Sequence, residues 1–247
     1  MNFVKIKFYG TSHGGPEVGR ECQCIFLDTE NGGYFFDMGC LTAPKLKNDG
    51  YDINKVKGIF ITHLDRDHIA GLLDFIMITT VRHKDARYKV HLPEERGEKA
   101  IKSFLNTMNE PVYSVDRISY DIYSEGVIFD DGNIKVTAVK TDHLAEPKKS
   151  YGFLIEAEGK KIYITGDIHH TLSDFPDVAK ESLDALITEG AHFEVSALFE
   201  KLTECKAKKI MVIHINRQDE KIPELLNGKD RVSGELYVPI DGDEYII

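Results

Sequence analysis

Six consecutive residues constrain this chain more than any others. His63, Asp65, Asp67 and His68 put four metal-capable side chains between an apolar run over 58–61 and an apolar helical pattern at Ile69, Leu72, Leu73, Phe75 and Ile76. The order reads as a buried strand, a polar turn and a helix. A single turn cannot place all four groups on one small cation without strain, but it can serve two neighbouring cations. Two close cations activate water and steady charge on a reacting oxygen. The plain alternative is a surface turn in which Asp67 caps the next helix. That leaves the paired histidines unexplained, so the metal reading requires further ligands from distant parts of the chain.

Those ligands recur where apolar runs stop. The run over 134–139 leads into Thr141-Asp142-His143, and the run over 161–165 ends in Gly166-Asp167. The run over 208–213 ends in His214-Ile215-Asn216-Arg217. Strand ends are rigid while the loops beyond them vary, which suits a binding site. Further strands are expected over 4–9, 24–28, 34–37, 89–92, 127–129, 151–156, 184–188 and 237–239. Besides the helix after residue 68, helical spacing marks 100–108 and 195–202. Strands and helices are mixed throughout, with no repeat or linker, so one α/β domain over 1–247 is expected.

Charge and cysteine content narrow the partners. The net charge of −10 argues against wrapping extended nucleic acid, because phosphate contacts need a basic face. No run approaches a membrane span and the first residues lack a signal-peptide core, so a cytoplasmic protein is expected. Cys22, Cys24, Cys40 and Cys205 form no pair of Cys-x-x-Cys knuckles, and read as reduced, partly buried thiols. A homodimer is compatible with the sequence.

The ordered set His63, Asp65, Asp67, His68, His143, Asp167 and His214 resembles the metallo-β-lactamase superfamily, with its His-x-His-x-Asp-His motif, distant His, distant Asp and last His. The resemblance runs from Asp37-Met38-Gly39 to His214. It implies a four-layer αβ/βα sandwich, with two mixed β-sheets face to face, helices outside and two divalent metals at the sheet edge. His63, Asp65 and His143 would hold one metal, Asp67, His68 and His214 the other, and Asp167 would bridge them. A hydroxide between the metals would be the nucleophile, with Asp67 orienting it and His214 a candidate proton donor.

Asp65 departs from the family, which usually has His there. The harder carboxylate moves the expectation from zinc toward manganese or iron. Residues 143–155 and the segments Thr188-Glu189-Gly190-Ala191-His192 and His214-Ile215-Asn216-Arg217 are similar to ribonuclease Z-like phosphodiesterases. The long arm that ribonuclease Z uses for tRNA is not evident, so a small phosphodiester or nucleotide is the expected substrate. The rivals are hydrolysis of a thioester, lactone or β-lactam, di-iron redox chemistry, and a non-enzymatic metal-bound sensor or partner-binding module. Lys148, Lys149 and Arg217 are expected near the ligands. Glu189 either steadies a ligand imidazole or caps a helix. His13, His169, His170 and His192 are left without a fixed role, and His83 and His91 read as structural or solvated.

Overall fold

The computed structural model describes residues 4–108 and 116–247. The first three residues, part of the stretch read as lacking a signal core, lie outside it. Among the described residues no helix is long and apolar enough to cross a membrane.

Two seven-stranded sheets account for the alternating apolar runs. The first contains β1 (Lys5–Gly10), β2 (Cys24–Thr29), β3 (Gly32–Phe36), β4 (Val56–Phe60), β5 (Tyr88–Leu92), β6 (Ile118–Ile122) and β14 (Glu244–Ile246). The second contains β7 (Gly126–Asp130), β8 (Ile134–Thr141), β9 (Ser150–Ala157), β10 (Lys160–Ile164), β11 (Ser182–Glu189), β12 (Lys206–Ile213) and β13 (Glu235–Tyr237). Their orders are β14-β1-β2-β3-β4-β5-β6 and β13-β12-β11-β10-β9-β8-β7. Each is mixed: β3 to β6 run parallel, as do β10 to β13, and the remaining pairs are antiparallel.

Three apolar layers hold the sheets and helices together. The middle one interleaves Phe8, Phe36 and Phe60 of the first sheet with Phe153, Ile187 and Met211 of the second. Outside the first sheet, α1 (Ala43–Asn48), α3 (Leu72–Arg82) and α4 (Glu95–Thr107) bury Leu46, Phe75 and Ile101 against Phe35 and Val90. Outside the second, α5 (Val195–Leu202) and α6 (Gln218–Asn227) bury Phe199 and Leu225 against Leu186 and Val212. This is the expected αβ/βα sandwich.

Five of the helices and strands were not expected: β6, β14, α1, α6 and the four-residue α2 (Arg66–Ile69), which lies in the stretch read as a turn. Strand β6 alternates only weakly, and β14 is three residues long at an edge. Pro223 interrupts α6 and the six-residue α1 offers little period to read. Of the cysteines only Cys24 is in β2, and all four thiols are free and buried.

Topology then fixes the site. Strands β4, β8, β10, β11 and β12 end at one rim between the sheets, each followed within three residues by an acidic or imidazole side chain, with Glu189 itself the last residue of β11.

Candidate metal centre

The turn after β4 is built by close backbone approach. Met38 N–H donates to the His68 carbonyl at 2.7 Å, and Gly71 N–H donates to the Met38 carbonyl at 2.8 Å. A Cβ at Gly39 would lie 1.8 Å from the Asp67 carbonyl oxygen, so only glycine lets the chain pass. This contact seats α2 (Arg66–Ile69), which carries Asp67 and His68, against the end of β3.

Asp37 is the hub beneath it. It is fully buried with φ of 59°, a left-handed conformation uncommon outside glycine and characteristic of functional sites. Its carboxylate accepts from Gln23 Nε2 at 2.8 Å, from Thr62 N at 2.8 Å, from the Thr62 hydroxyl, and from His68 Nδ1 at 2.7 Å. With the Thr62 hydroxyl committed to Asp37, His63 Nδ1 donates to Thr62 Oγ1 at 3.0 Å. Both histidines therefore keep their protons on Nδ1 and turn Nε2 toward the rim. Sequence reading saw Asp37 as a strand-ending acid and gave it no role. Its signal was an acid and a glycine closing a strand that is otherwise apolar.

Four imidazoles converge on one carboxylate oxygen. Asp167 Oδ2 lies 3.8 Å from His63 Nε2, 3.5 Å from His68 Nε2, 3.7 Å from His143 Nε2 and 3.3 Å from His214 Nε2. Asp67 Oδ2 is 3.3 Å from His68 Nε2 and 3.8 Å from His214 Nε2. Two ligands about 2.1 Å from a tetrahedral cation stand roughly 3.4 Å apart, so these spacings suit shared coordination. The buried atoms His63 Nε2, His68 Nε2 and Asp167 Oδ1 have no hydrogen-bond partner. Buried polar atoms are normally satisfied, and a cation would satisfy these. The residues present thus fit divalent metal, in the groups His63–His143–Asp167 and Asp67–His68–His214.

Six of the seven predicted ligands meet in these groups, and Asp65 stands outside them. Its side chain is 47 % exposed, with Oδ2 3.8 Å from His63 Nε2. It occupies the N-cap of α2 with extended backbone, which leaves its carboxylate on the outer lip of the turn. His192 takes a place that sequence reading left open, in a third group with Asp167 and His214. Its ring lies 4.7 Å from that of His143. Glu189 Oε2 accepts from His192 Nδ1 at 2.7 Å and from the amides of Ala191 and His192, so it both orients an imidazole and caps a turn.

Electrostatics divide the histidines. Burial, then the neighbouring His68, pushes the His63 pKa well below its usual value, and burial lowers that of His143. Burial opposes charge on His68 too, but Asp167 and Asp37 hold its pKa well above the ordinary range. Burial likewise opposes ionisation of Asp167, yet His214 and His68 keep its carboxyl well below the usual carboxylate range. For His192 burial is outweighed by the Glu189 hydrogen bond, which raises its pKa.

The other candidates are mostly peripheral. His13 is part-buried, with Nε2 3.3 Å from Glu17 and its ring 6.4 Å from that of His214. Arg217 pairs with Glu194 at 2.6 Å and Glu220 at 3.4 Å. Lys148 lines a groove of about 680 Å³ beside Asp65. The rings of His169 and His170 lie 4.1 Å apart, tilted by 41°, outside any helix. His91 is fully buried rather than solvated.

The family described as Anti-Pycsar protein Apyc1 matches residues 4–230, which takes in every strand end at this rim. The chain belongs to that family. It is also 32 % identical over 159 residues to ribonuclease Z of Leuconostoc mesenteroides subsp. mesenteroides, covering 62 % of this chain and 48 % of that one. The chain therefore spans about half the length of the curated relatives it matches. Among solved structures, the metallo-β-lactamase fold protein YhfI from Bacillus subtilis superposes with a TM-score of 0.75 at 17 % identity, covering 100 % of both chains. Human tRNase Z, short form, superposes with a TM-score of 0.72 at 18 % identity, covering 98 % of each. These likenesses establish the metallo-β-lactamase fold.

Proposed function

We propose that this chain, acting as one domain over 1–247, is a dinuclear metal-dependent phosphodiesterase that hydrolyses a small phosphodiester or nucleotide. The convergence of four histidine Nε2 atoms on one Asp167 oxygen carries this reading. His63, His143 and Asp167 would hold one metal and Asp67, His68 and His214 the other, with Asp65 reaching the first. Bound divalent cations would supply Lewis acidity for the phosphoryl group and lower the pKa of water. The hard Asp65 carboxylate favours manganese or iron over zinc at its site.

The chain's own residues do the rest. Asp67 accepts a hydrogen bond from the attacking water and aims it at phosphorus. One P–O bond forms to that water and one breaks. His214 faces Asp67 and Asp167 and would serve as a ligand rather than as the proton donor. His192, backed by Glu189 and beside His143, is better placed to hydrogen-bond the leaving oxygen. Four reduced thiols suit a reducing compartment such as the cytoplasm.

Matches to proteins named ribonuclease Z and tRNase Z favour a second reading, an RNA phosphodiester. The acidic balance of the chain supports the smaller substrate. The two separate in one experiment: elemental analysis of protein purified without added metal, then turnover of bis(p-nitrophenyl) phosphate, cyclic mononucleotides and short RNA. Asp167→Ala should lose both metal and turnover. Metal-loaded protein that cleaves esters or amides but no phosphodiester would refute the proposal.

A further inference from the structure

A lysine buried to 2 % exposure sits behind the His192 loop, and the chemistry proposed above makes no use of it. Lys221, in the first turn of α6, donates from Nζ to the carbonyls of Gly190 at 2.7 Å, Ala191 at 3.1 Å and Phe193 at 2.7 Å. An ammonium has three donors, and here all three go to one four-residue loop. Helical side chains lean toward the N-terminus, which brings this one back from α6 to the end of β11.

The same loop is held from its other side by an opposite charge. Glu189, 1 % exposed, accepts from the amides of Ala191 and His192, while Gly190 N–H donates to the His214 carbonyl at 3.3 Å. Residues 190–193 belong to no helix or strand, yet a carboxylate takes two of their amides and an ammonium takes three of their carbonyls. Burying a charge is expensive unless it is fully bonded, so such a pair is costly to place under an ordinary surface turn. What the loop carries is His192, 4.7 Å between ring centres from His143 and grouped with Asp167 and His214.

We infer that Lys221 is a positioning residue, whose ammonium fixes the 190–193 backbone so that the Glu189-bound His192 imidazole faces the reacting oxygen. The inference rests on the role given to His192 above. It assigns α6, a helix that begins four residues after His214 and supplies none of the proposed ligands itself, to the catalytic geometry. Small displacements of a reacting group cost rate steeply, so removing the clamp acts on turnover rather than on substrate affinity.

The test uses the zinc- or manganese-loaded full chain. Lys221→Met should keep wild-type metal content and lower kcat roughly tenfold or more, with KM within about twofold. In a His192→Ala background the same substitution should cost nothing further. An equal loss in both backgrounds, or an unchanged kcat, would overturn the inference. If Lys221→Met does not fold, Lys221→Arg serves. It keeps the charge, but a planar fork cannot meet three divergent carbonyls, so a smaller loss with the same dependence on His192 is expected. A second readout is independent of substrate. In the zinc-loaded protein, the exchange-protected Nδ1–H resonance of His192 should vanish on Lys221→Met while that of His68 persists. Retention of the His192 resonance would overturn the inference even if no phosphodiester is ever turned over.

Discussion

Asp37 shows how much a site of this kind asks of a residue that never touches the reaction. Its carboxylate gathers His68, Thr62 and Gln23, and through Thr62 it reaches His63. Asp37→Asn keeps the shape but offers one acceptor oxygen where two are used. Metal affinity should fall by about 10- to 100-fold, read by competition with a chromophoric chelator, with the fold unchanged by circular dichroism. Unaltered affinity would remove Asp37 from the site. A second buried residue, His91, tests the core instead. It stacks on Phe60 at 4.5 Å, and burial lowers its pKa to about 4 despite Asp121 at 3.2 Å. The unfolded chain, with His near pKa ~6.5, binds this proton first as pH falls. Stability is therefore fully present above pH ~6.5 and is lost progressively down to pH about 4, by at most ~3 kcal/mol. Urea melts across that window should show the slope, and His91→Phe should reduce it while the share owed to buried His63 and His143 remains.

Among the elements, the short turn carrying α2 is the most exacting. Gly39→Ala would drive a methyl into the Asp67 carbonyl, and backbone cannot yield as a side-chain tip can. A loss of about 1–3 kcal/mol in stability and a displaced Asp67 and His68 are expected, seen as a lower Tm together with reduced metal content. Much of this architecture was legible in the sequence because long buried strands announce themselves by composition. The strand-end rule placed His143, Asp167 and His214 at the rim, since a histidine or aspartate directly after a run such as Lys208 to Ile213 has nowhere else to go. What escaped had physical reasons. The helix α6 carries an internal proline and β14 is a three-residue edge strand, so neither shows a period. Asp65 matched a motif position, but no pattern shows which way a solvent-facing carboxylate turns. Glu189 lies only three residues from His192, but Lys221 reaches the Gly190 carbonyl across 31 residues, and such a contact leaves no mark in local spacing.

At the scale of the whole molecule, the candidate centre lies where the two sheets meet. His63, Asp67 and His68 follow β4 of the first sheet, while His143, Asp167 and His214 follow β8, β10 and β12 of the second. Direct bonds cross this rim from Tyr151 N–H to the Thr62 carbonyl at 3.2 Å and from His214 N–H to the Thr11 carbonyl at 2.8 Å. The residue His214 is itself held at φ of 52°, a conformation that the surrounding contacts must sustain. Cations bound here would tie one half of the sandwich to the other, and a ligand that binds only the folded chain stabilises it by mass action. At a free metal concentration a thousandfold above Kd the gain is about 4 kcal/mol. Stripping metal with a chelator should therefore lower Tm and restoring manganese or zinc should recover it. The loss should also be local. Amide exchange should quicken over 62–68, 141–143, 165–169 and 213–217, while the outer helices α3 and α5 keep their protection. Uniform loosening of both outer layers would show that the metals support the fold as a whole rather than the seam between its halves, and an unchanged Tm would show that nothing bound there holds the sheets together.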